Sequence, residues 1–411
     1  MTTQCVERGN PPSTETPASG TLTVKVLQTV SEVEQERALW TRWPGHRDSE
    51  IDFYLMILRS RPEVLSPYIL VAYQNNCPQA MLIGRVEKRR LDFRVGYFSV
   101  LRPSAQILAF IAWGLRGDAS PESSQALVEE ILKSLRRGEA DAATLTFVDV
   151  NSSICKLGKE LPGALSRDFH TSANVHWRMD LAKSIDEVYA RFSSDHRGQL
   201  RRKAKKLVAE FGDKVRVACL RDITDIERIM QDVEQVAKKT YQRGLGVGFS
   251  ASEEMRNRLD LQAEKSWLRT YLLYIDETPC AFWVGSLYDG IFYSDYLGHD
   301  PTYDKHSVGT FLTMKTIEAL CAEGAKGVDF GPGDSRYKQQ FGNSRTDETT
   351  VYIFAPSLKG IALNAGRTAS GFIDSTVKRT LGRAQLLPKI KKLWRKRASH
   401  HNQPPDPELR S

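Results

Sequence analysis

The stretch from Tyr296 to Phe341 holds the residue types that a group transfer from a thioester requires. Direct acyl transfer needs an oriented thioester, a deprotonated amine and a proton for the departing thiolate. Tyr337 is a candidate acid toward the sulfur, because a phenol can donate a proton and then recover it. Asp329 and Asp295 are candidates for the base that takes the proton of an acceptor ammonium, directly or through water. Upstream, Lys305-His306-Ser307-Val308-Gly309-Thr310 joins a mobile cation to a glycine at the start of an apolar periodic run. A helix beginning there presents unpaired amides and roughly half a positive charge, which suits a pyrophosphate. Gly309 lets backbone approach the anion closely, and Lys305, Ser307, Val308 and Thr310 complete the loop. Gly331 and Gly333 break the chain just after Val328-Asp329-Phe330, at the same end of the site. Tyr241, Arg243, Tyr293 and His299 are candidates for shaping an acceptor pocket, and Lys338 for a contact to phosphate or acceptor. Plain structural alternatives stand beside these roles: Tyr337 closing the core with its hydroxyl in water, Asp329 accepting from loop amides, and tyrosines packing across strands. His299 and Asp300 are adjacent on an extended chain and point to opposite faces, so they do not read as an acid–base pair.

These residues need elements to hold them, and the pattern around them is legible. Arg269–Ile275 reads as a strand, Asp276-Glu277-Thr278-Pro279 as a turn and Cys280–Tyr288 as a second strand. Asp289-Gly290 supplies a tight type I′ turn into a third strand, Ile291–Leu297. A polar loop, a helix over Ser307–Glu323 ended by Gly324, and a short strand at Val328–Phe330 follow. The helical crossover makes that last strand parallel to the third. Where the two splay, an extended pantetheine-like arm can pair with strand backbone. A short helix over Ser335–Phe341 and a strand at Thr349–Ala355 follow. The first half repeats the order: strands at Tyr68–Tyr73, Gln79–Glu87 and Phe93–Val100, a helix from Ser120-Pro121 to about Arg137, and a strand at Thr144–Val148. Meander, helix, strand occurring twice predicts a mixed α/β protein with one fold in tandem. Between the halves, Val188–Phe211 reads as one amphipathic helix with a basic face, on which Arg197 and Arg201 are candidate phosphate contacts.

The run Val328-Asp-Phe-Gly-Pro-Gly-Asp-Ser-Arg-Tyr-Lys338, closing in Phe341-Gly342, resembles the GNAT-like acyltransferases associated with cellulose and exopolysaccharide biosynthesis, relatives of the Fem-type peptidoglycan aminoacyl transferases. Arg197-Gly-Gln-Leu-Arg-Arg202, Tyr241-Gln-Arg243, Tyr296-Leu-Gly-His-Asp300 and Ser307-Val-Gly309 extend the likeness over roughly residues 185 to 345. It implies tandem GNAT-like domains, acetyl-CoA or another acyl-CoA as donor, an amine such as an amino sugar as acceptor, and no metal. The phosphate loop departs from the usual Gln or Arg-x-x-Gly-x-Gly/Ala, with Gly309 and Thr310 standing in the last positions. The division expected is a disordered leader (1–20), a degenerate GNAT-like domain (21–175), a catalytic one (176–358) and a basic tail (359–411). The first half has only Arg116-Gly117-Asp118 as a stand-in phosphate loop, so it reads as a buttress without its own active site. An aminoacyl-tRNA-dependent Fem-like transferase and a noncatalytic binding protein are the competing readings.

Composition narrows the setting. The six cysteines are scattered, with no CxxC pair and no His cluster for zinc, so they read as reduced thiols. No apolar run approaches a membrane span, and the first residues lack a signal-peptide pattern, which points to a cytoplasmic protein. The net charge of +8 is local: Val377–Arg397 carries nine Lys or Arg and no acid, leaving −1 for the rest. A basic nucleic-acid-binding body is therefore disfavoured, unless a tRNA donates. The tail interleaves its cations with Leu386, Leu387, Ile390, Leu393 and Trp394, a composition suited to peripheral contact with an anionic membrane.

Overall fold

The computed structural model describes residues 22–96, 98–244 and 248–383. The chain divides into two units, 1–173 with 347–377 and 174–346 with 378–411.

The first unit opens with β1 (Thr23–Leu27), α1 (Val30–Gln35), α2 (Arg37–Arg42) and α3 (Ile51–Ser60). It continues with β2 (Val64–Gln74), β3 (Cys77–Arg90), β4 (Phe93–Val95), β5 (Phe98–Leu101), β6 (Ser104–Gly117), α4 (Pro121–Arg136), β7 (Ala142–Asp149) and α5 (Ser153–Glu160). The second unit has β8 (Ala173–Asp180), α6 (Ile185–Arg191), α7 (Ser194–Phe211), β9 (Val215–Leu220), α8 (Ile226–Ala237), α9 (Tyr241–Gly244) and α10 (Glu253–Glu264). Its meander is β10 (Leu268–Ile275), β11 (Thr278–Tyr288) and β12 (Ile291–His299), followed by α11 (Val308–Ala322), β13 (Gly327–Pro332) and α12 (Arg336–Phe341). Strand β14 (Ser344–Phe354) returns the chain to the first unit, which α13 (Leu358–Arg383) completes as far as Val377.

In the first unit the strands run β1-β2-β3-β6-β7-β14, and in the second β8-β13-β12-β11-β10-β9. Both contain an antiparallel meander, a crossover helix and a strand parallel to the meander's last: β6 with β7, and β12 with β13. The mixed α/β tandem fold is thus observed. In the second unit, helices cover both sheet faces. Val308, Leu312 and Ile317 of α11 pack with Trp283 and Phe292 on one face, and Ile229 and Val233 of α8 with Phe282 on the other. Asp289 and Gly290 both have positive φ, as the type I′ turn demands.

Three details differ from the expectation. Phe93–Val100 forms the small β4–β5 hairpin, and the meander's third strand is β6, whose run Ile107–Phe110 is nearly fully buried and so lacks the alternation that marks a half-buried strand. Val188–Phe211 is two helices, because the Ser193 hydroxyl accepts from the His196 amide and starts a new one. Asp347–Val377 belongs to the first unit instead of a catalytic domain ending at 358 and a tail from 359: Leu363 is buried beside Phe93, and Arg367 pairs with the buried Asp168 at 3.2 Å. The expected leader and the tail cations beyond Arg383 lie outside the described residues.

Candidate active site

The second unit's parallel ladder is short. Strands β12 and β13 pair only at Ile291–Gly327, Phe292–Val328 and Tyr293–Asp329. Beyond them the β11–β12 register slips between Val284 and Gly285, leaving Asp295 as the extra residue of a bulge, which bends β12 away. Strand β13 stays with β8 as far as Pro332–His176. The divergence opens a cavity of about 480 Å³ lined by Ser294–His299 of β12, Phe330–Pro332 of β13, Gly309, Thr310 and Thr313 of α11, and Tyr337 and Lys338 of α12.

Helix α11 begins at this cavity. Its N-cap, Ser307, is left-handed (φ 56°, ψ 38°) and its hydroxyl makes no capping bond. The first-turn amides are therefore left for an anion. The corresponding helix of the first unit, α4, is closed by its own chain. The Ser120 hydroxyl accepts from the Ser123 amide, and Asp118 accepts from the Ser120 amide and from the hydroxyls of Ser120 and Ser123. In that unit β6–β7 pairing stops at Phe110–Leu145, and Trp113 fills the gap beyond. Its ring stacks on His46 at 4.0 Å and on Phe147 at 6.0 Å, and its indole N–H donates to Glu348.

Arg116-Gly117-Asp118 is therefore structural. The buried Arg116 guanidinium donates to the carbonyls of Trp40, Trp43 and Ser49 at 2.7–3.0 Å. Arg116→Met takes the guanidinium from all three oxygens, of which Ser49 O keeps the Trp40 indole N–H at 2.8 Å, and is expected to cost about 2–4 kcal/mol, read as a lower denaturant midpoint with donor binding unchanged.

The cavity brings together Asp295, His299, Gly309, Thr310, Gly331, Tyr337 and Lys338 among the residues singled out by sequence. Tyr337 stands edge-on to Phe330, ring centroids 6.0 Å apart. Asp295 lies beside Gln262 and Arg258. His299 pairs with Asp304 at 2.8 Å, whereas Asp300 is buried and binds Lys239 at 2.7 Å, so the adjacent His and Asp indeed do not pair. Asp329 is engaged elsewhere. Its carboxylate accepts from His176 Nε2 at 2.6 Å, Arg178 Nε at 3.0 Å and the Gly331 amide at 2.8 Å, in a buried cluster that fixes the turn after β13. With its oxygens so committed, Asp329 is a scaffold for the turn, not a base facing the cavity. Gly331 (φ 71°) and Gly333 (φ 108°) take the left-handed backbone this turn needs.

Arg243 is also structural, bound to Glu234 and to the Phe249 carbonyl. Tyr293 packs against Tyr288 and does not line the cavity. The Tyr241 side chain lies outside the described residues. Lys305 is exposed, and its carbonyl accepts from Lys206 Nζ at 2.9 Å, which ties the basic helix α7 to the loop before α11. Arg197 donates to the carbonyls of Tyr189, Ala190 and Phe192 and caps α6, while Arg201 is exposed. Two residues escape a sequence reading. His176 sits on β8, 153 positions from Asp329. Ser335 lines the cavity with a buried hydroxyl that has no hydrogen-bond partner among the described residues.

Lys338 is buried and donates to the carbonyls of Gly331 and Pro332, both at 2.9 Å. Burial pushes its ammonium down to about 8, against the pull of Asp329. The folded chain therefore holds fewer protons than the unfolded one between about pH 8 and the ordinary lysine value. Stability contributed by this group rises across that window and is constant below it. Lys338→Met is expected to remove that rise, up to about 3 kcal/mol, seen by comparing denaturant midpoints of the two proteins at pH 7.5 and 10. Cys280, Cys155 and Cys321 are poor nucleophiles, since burial pushes the Cys280 thiol up to about 12 and raises the other two. No group of three or more His, Cys, Asp or Glu among the described residues could hold a metal ion.

Residues 194–339, which hold the open wedge and its uncapped crossover helix, match the profile of the family described as acetyltransferase (GNAT) domain. The fold recurs in FemX, 10% identical with a TM-score of 0.53, over 80% of this chain and 98% of that one. Two further similar structures are a tandem GNAT protein from the clavulanic acid biosynthesis pathway (10% identity, 82% and 99% covered, TM-score 0.47) and the C-terminal domain of a putative lysylphosphatidylglycerol synthetase from Agrobacterium fabrum (13%, 85% and 96%, 0.47). No curated protein matches the sequence.

Proposed function

We propose that the chain is an acyl-CoA-dependent N-acyltransferase that moves an acyl group, acetyl in the simplest case, to an amine in a ternary complex. The observation that carries this reading is the wedge between β12 and β13 opening at the uncapped start of α11. The acyl-CoA supplies an activated thioester carbonyl. Amides of the first turn of α11 would hold its pyrophosphate, with exposed Lys305 as a mobile cation, while the pantetheine arm would extend along β12 beyond Tyr293, where its ladder with β13 ends. Asp295, at the bulge and on the cavity wall, would take the ammonium proton of the acceptor. Tyr337 would return a proton to the departing sulfur. Gln242, Phe249, Tyr296 and His299 line the cavity and would meet the acceptor. The motif likeness to polysaccharide-associated acyltransferases makes an amino sugar or a sugar-linked amine in envelope metabolism the acceptor class to test first, in the cytoplasm.

Mass spectrometry after incubation with acetyl-CoA and a panel of amino sugars and small amines should find a product heavier by one acetyl group and stoichiometric free thiol. Turnover only with charged tRNA, abolished by ribonuclease, would instead identify an aminoacyl transferase. Absence of either product with donor still bound would mark a binding protein.

A further inference from the structure

Helix α10 reaches Asp295 from behind the cavity wall. Met255, Leu259 and Gln262 recur at i, i+4 and i+7, the spacing of one helix face, and all three are buried. Met255 and Leu259 join Leu268 and Leu272 of β10 in one apolar layer, and Gln262 stands where that layer calls for another apolar residue. Gln262 is 0% exposed. Its Nε2 lies 3.5 Å from Oδ2 of Asp295, and one helical turn away the Arg258 guanidinium lies 3.7 Å from Oδ1. A carboxylate only accepts, so the amide turns its NH2 toward Asp295. That orientation sends the Gln262 carbonyl oxygen inward, where it has no hydrogen-bond partner among the described residues.

A buried acceptor without a donor is a burden on the fold that Met or Leu at this position would not bring. Such a residue is expected where function, more than packing, sets the choice. Asp295 is the place that needs it. As the extra residue of the β12 bulge, Asp295 stands outside the regular ladder that would fix its direction, and a base acts only with an oxygen turned to the proton it takes. Arg258 brings charge, whereas the neutral amide sets the rotation of the carboxylate without entering the proton balance. Resting on the transferase reading above, we propose that Gln262 is a positioning residue. Its amide holds the Asp295 carboxylate turned into the cavity, so that as the acceptor's N–H bond breaks the proton passes to a carboxylate oxygen.

Steady-state kinetics and denaturation of the full chain test this, with acetyl-CoA and an amine that the wild type acetylates. Gln262→Met, close in length and volume, is expected to lower kcat about tenfold while the KM for the amine and the Kd for acetyl-CoA stay within about twofold of wild type. Its denaturant midpoint should be no lower than that of the wild type. A residue that only packs gives the reverse, a lower midpoint with kcat unchanged, and that result overturns the inference. Gln262→Glu keeps the shape and sets a second carboxyl beside Asp295. Two carboxyls so close share a proton, which blocks the base until higher pH. The acid limb of the kcat profile should therefore move up by at least about one pH unit, with activity returning as pH rises. The other titratable groups around Asp295 are Arg258 and, behind it, Glu254 on α10, Tyr296 and His299 on β12, and Tyr337 and Lys338 on α12. They are the same in both proteins and cancel in the comparison. Gln262→Glu also keeps the test decisive if Gln262→Met fails to fold. An acid limb unmoved in Gln262→Glu overturns the inference and leaves the transferase reading in place. Absence of turnover by the wild type removes that reading, and the inference with it.

Discussion

Gly309→Glu is expected to lower the affinity for acetyl-CoA at least about 100-fold, about 2.7 kcal/mol, while the protein still folds. Gly309 lies in the first turn of α11 and lines the cavity. A Cβ there would stand 3.3 Å from Nδ1 of the His299 ring, a contact that a small ring movement relieves, so the backbone need not shift. The carboxylate, by contrast, would occupy the uncapped start of α11. It would both satisfy the amides intended for the pyrophosphate and repel it. The first unit already shows this outcome by its own sequence, where Asp118 and Ser120 close the start of α4. Gly309→Ala is the control: it adds only the methyl group beside His299 and should lose far less. Equal affinity of Gly309→Glu and wild type would place the donor elsewhere.

Tyr337→Phe is expected to lower kcat by about 10²- to 10³-fold with the Kd for acyl-CoA unchanged. Phe keeps the edge-on packing against Phe330, so the cavity wall survives and only the hydroxyl is lost. The loss should be smaller with donors whose leaving thiol is more acidic, since they need less help from a proton donor. A structural role for the ring alone would instead leave kcat near wild type. Activity above about a tenth of wild type would remove Tyr337 as the acid and direct attention to Ser335, whose buried hydroxyl lines the same cavity.

Local signals made much of this site readable in the sequence. Asp289-Gly290 fixes a turn by backbone conformation alone, and the periodicity from Val308 to Cys321 fixes a helix whose start follows from Ser307-Val308-Gly309. The two strands of the wedge follow from the right-handed crossover. What stayed hidden depends on contacts distant along the chain. Asp329 has the look of a base in sequence, yet His176 and Arg178, about 150 positions earlier, claim its carboxylate. Arg243 looks like an acceptor contact until Glu234 meets it across a helix turn and loop. The bulge at Asp295 is a register event between two strands, and neither strand announces it. Strand β6 was obscured because burial of Ile107–Phe110 removes the alternation on which strand reading rests. In the sequence, helix α13 reads as part of the tail because the cations that follow dominate the composition, whereas Leu363, Asn364 and Arg367 bind it to the first unit.

Calorimetric titration of the wild-type protein with acetyl-CoA tests the central claim most directly. Saturable heat with a stoichiometry of one per chain, lost in Gly309→Glu, is the predicted result, since Trp113 and Asp118 close the equivalent place in the first unit. No heat with acetyl-CoA or longer acyl-CoAs, or two equivalents bound per chain, would contradict it.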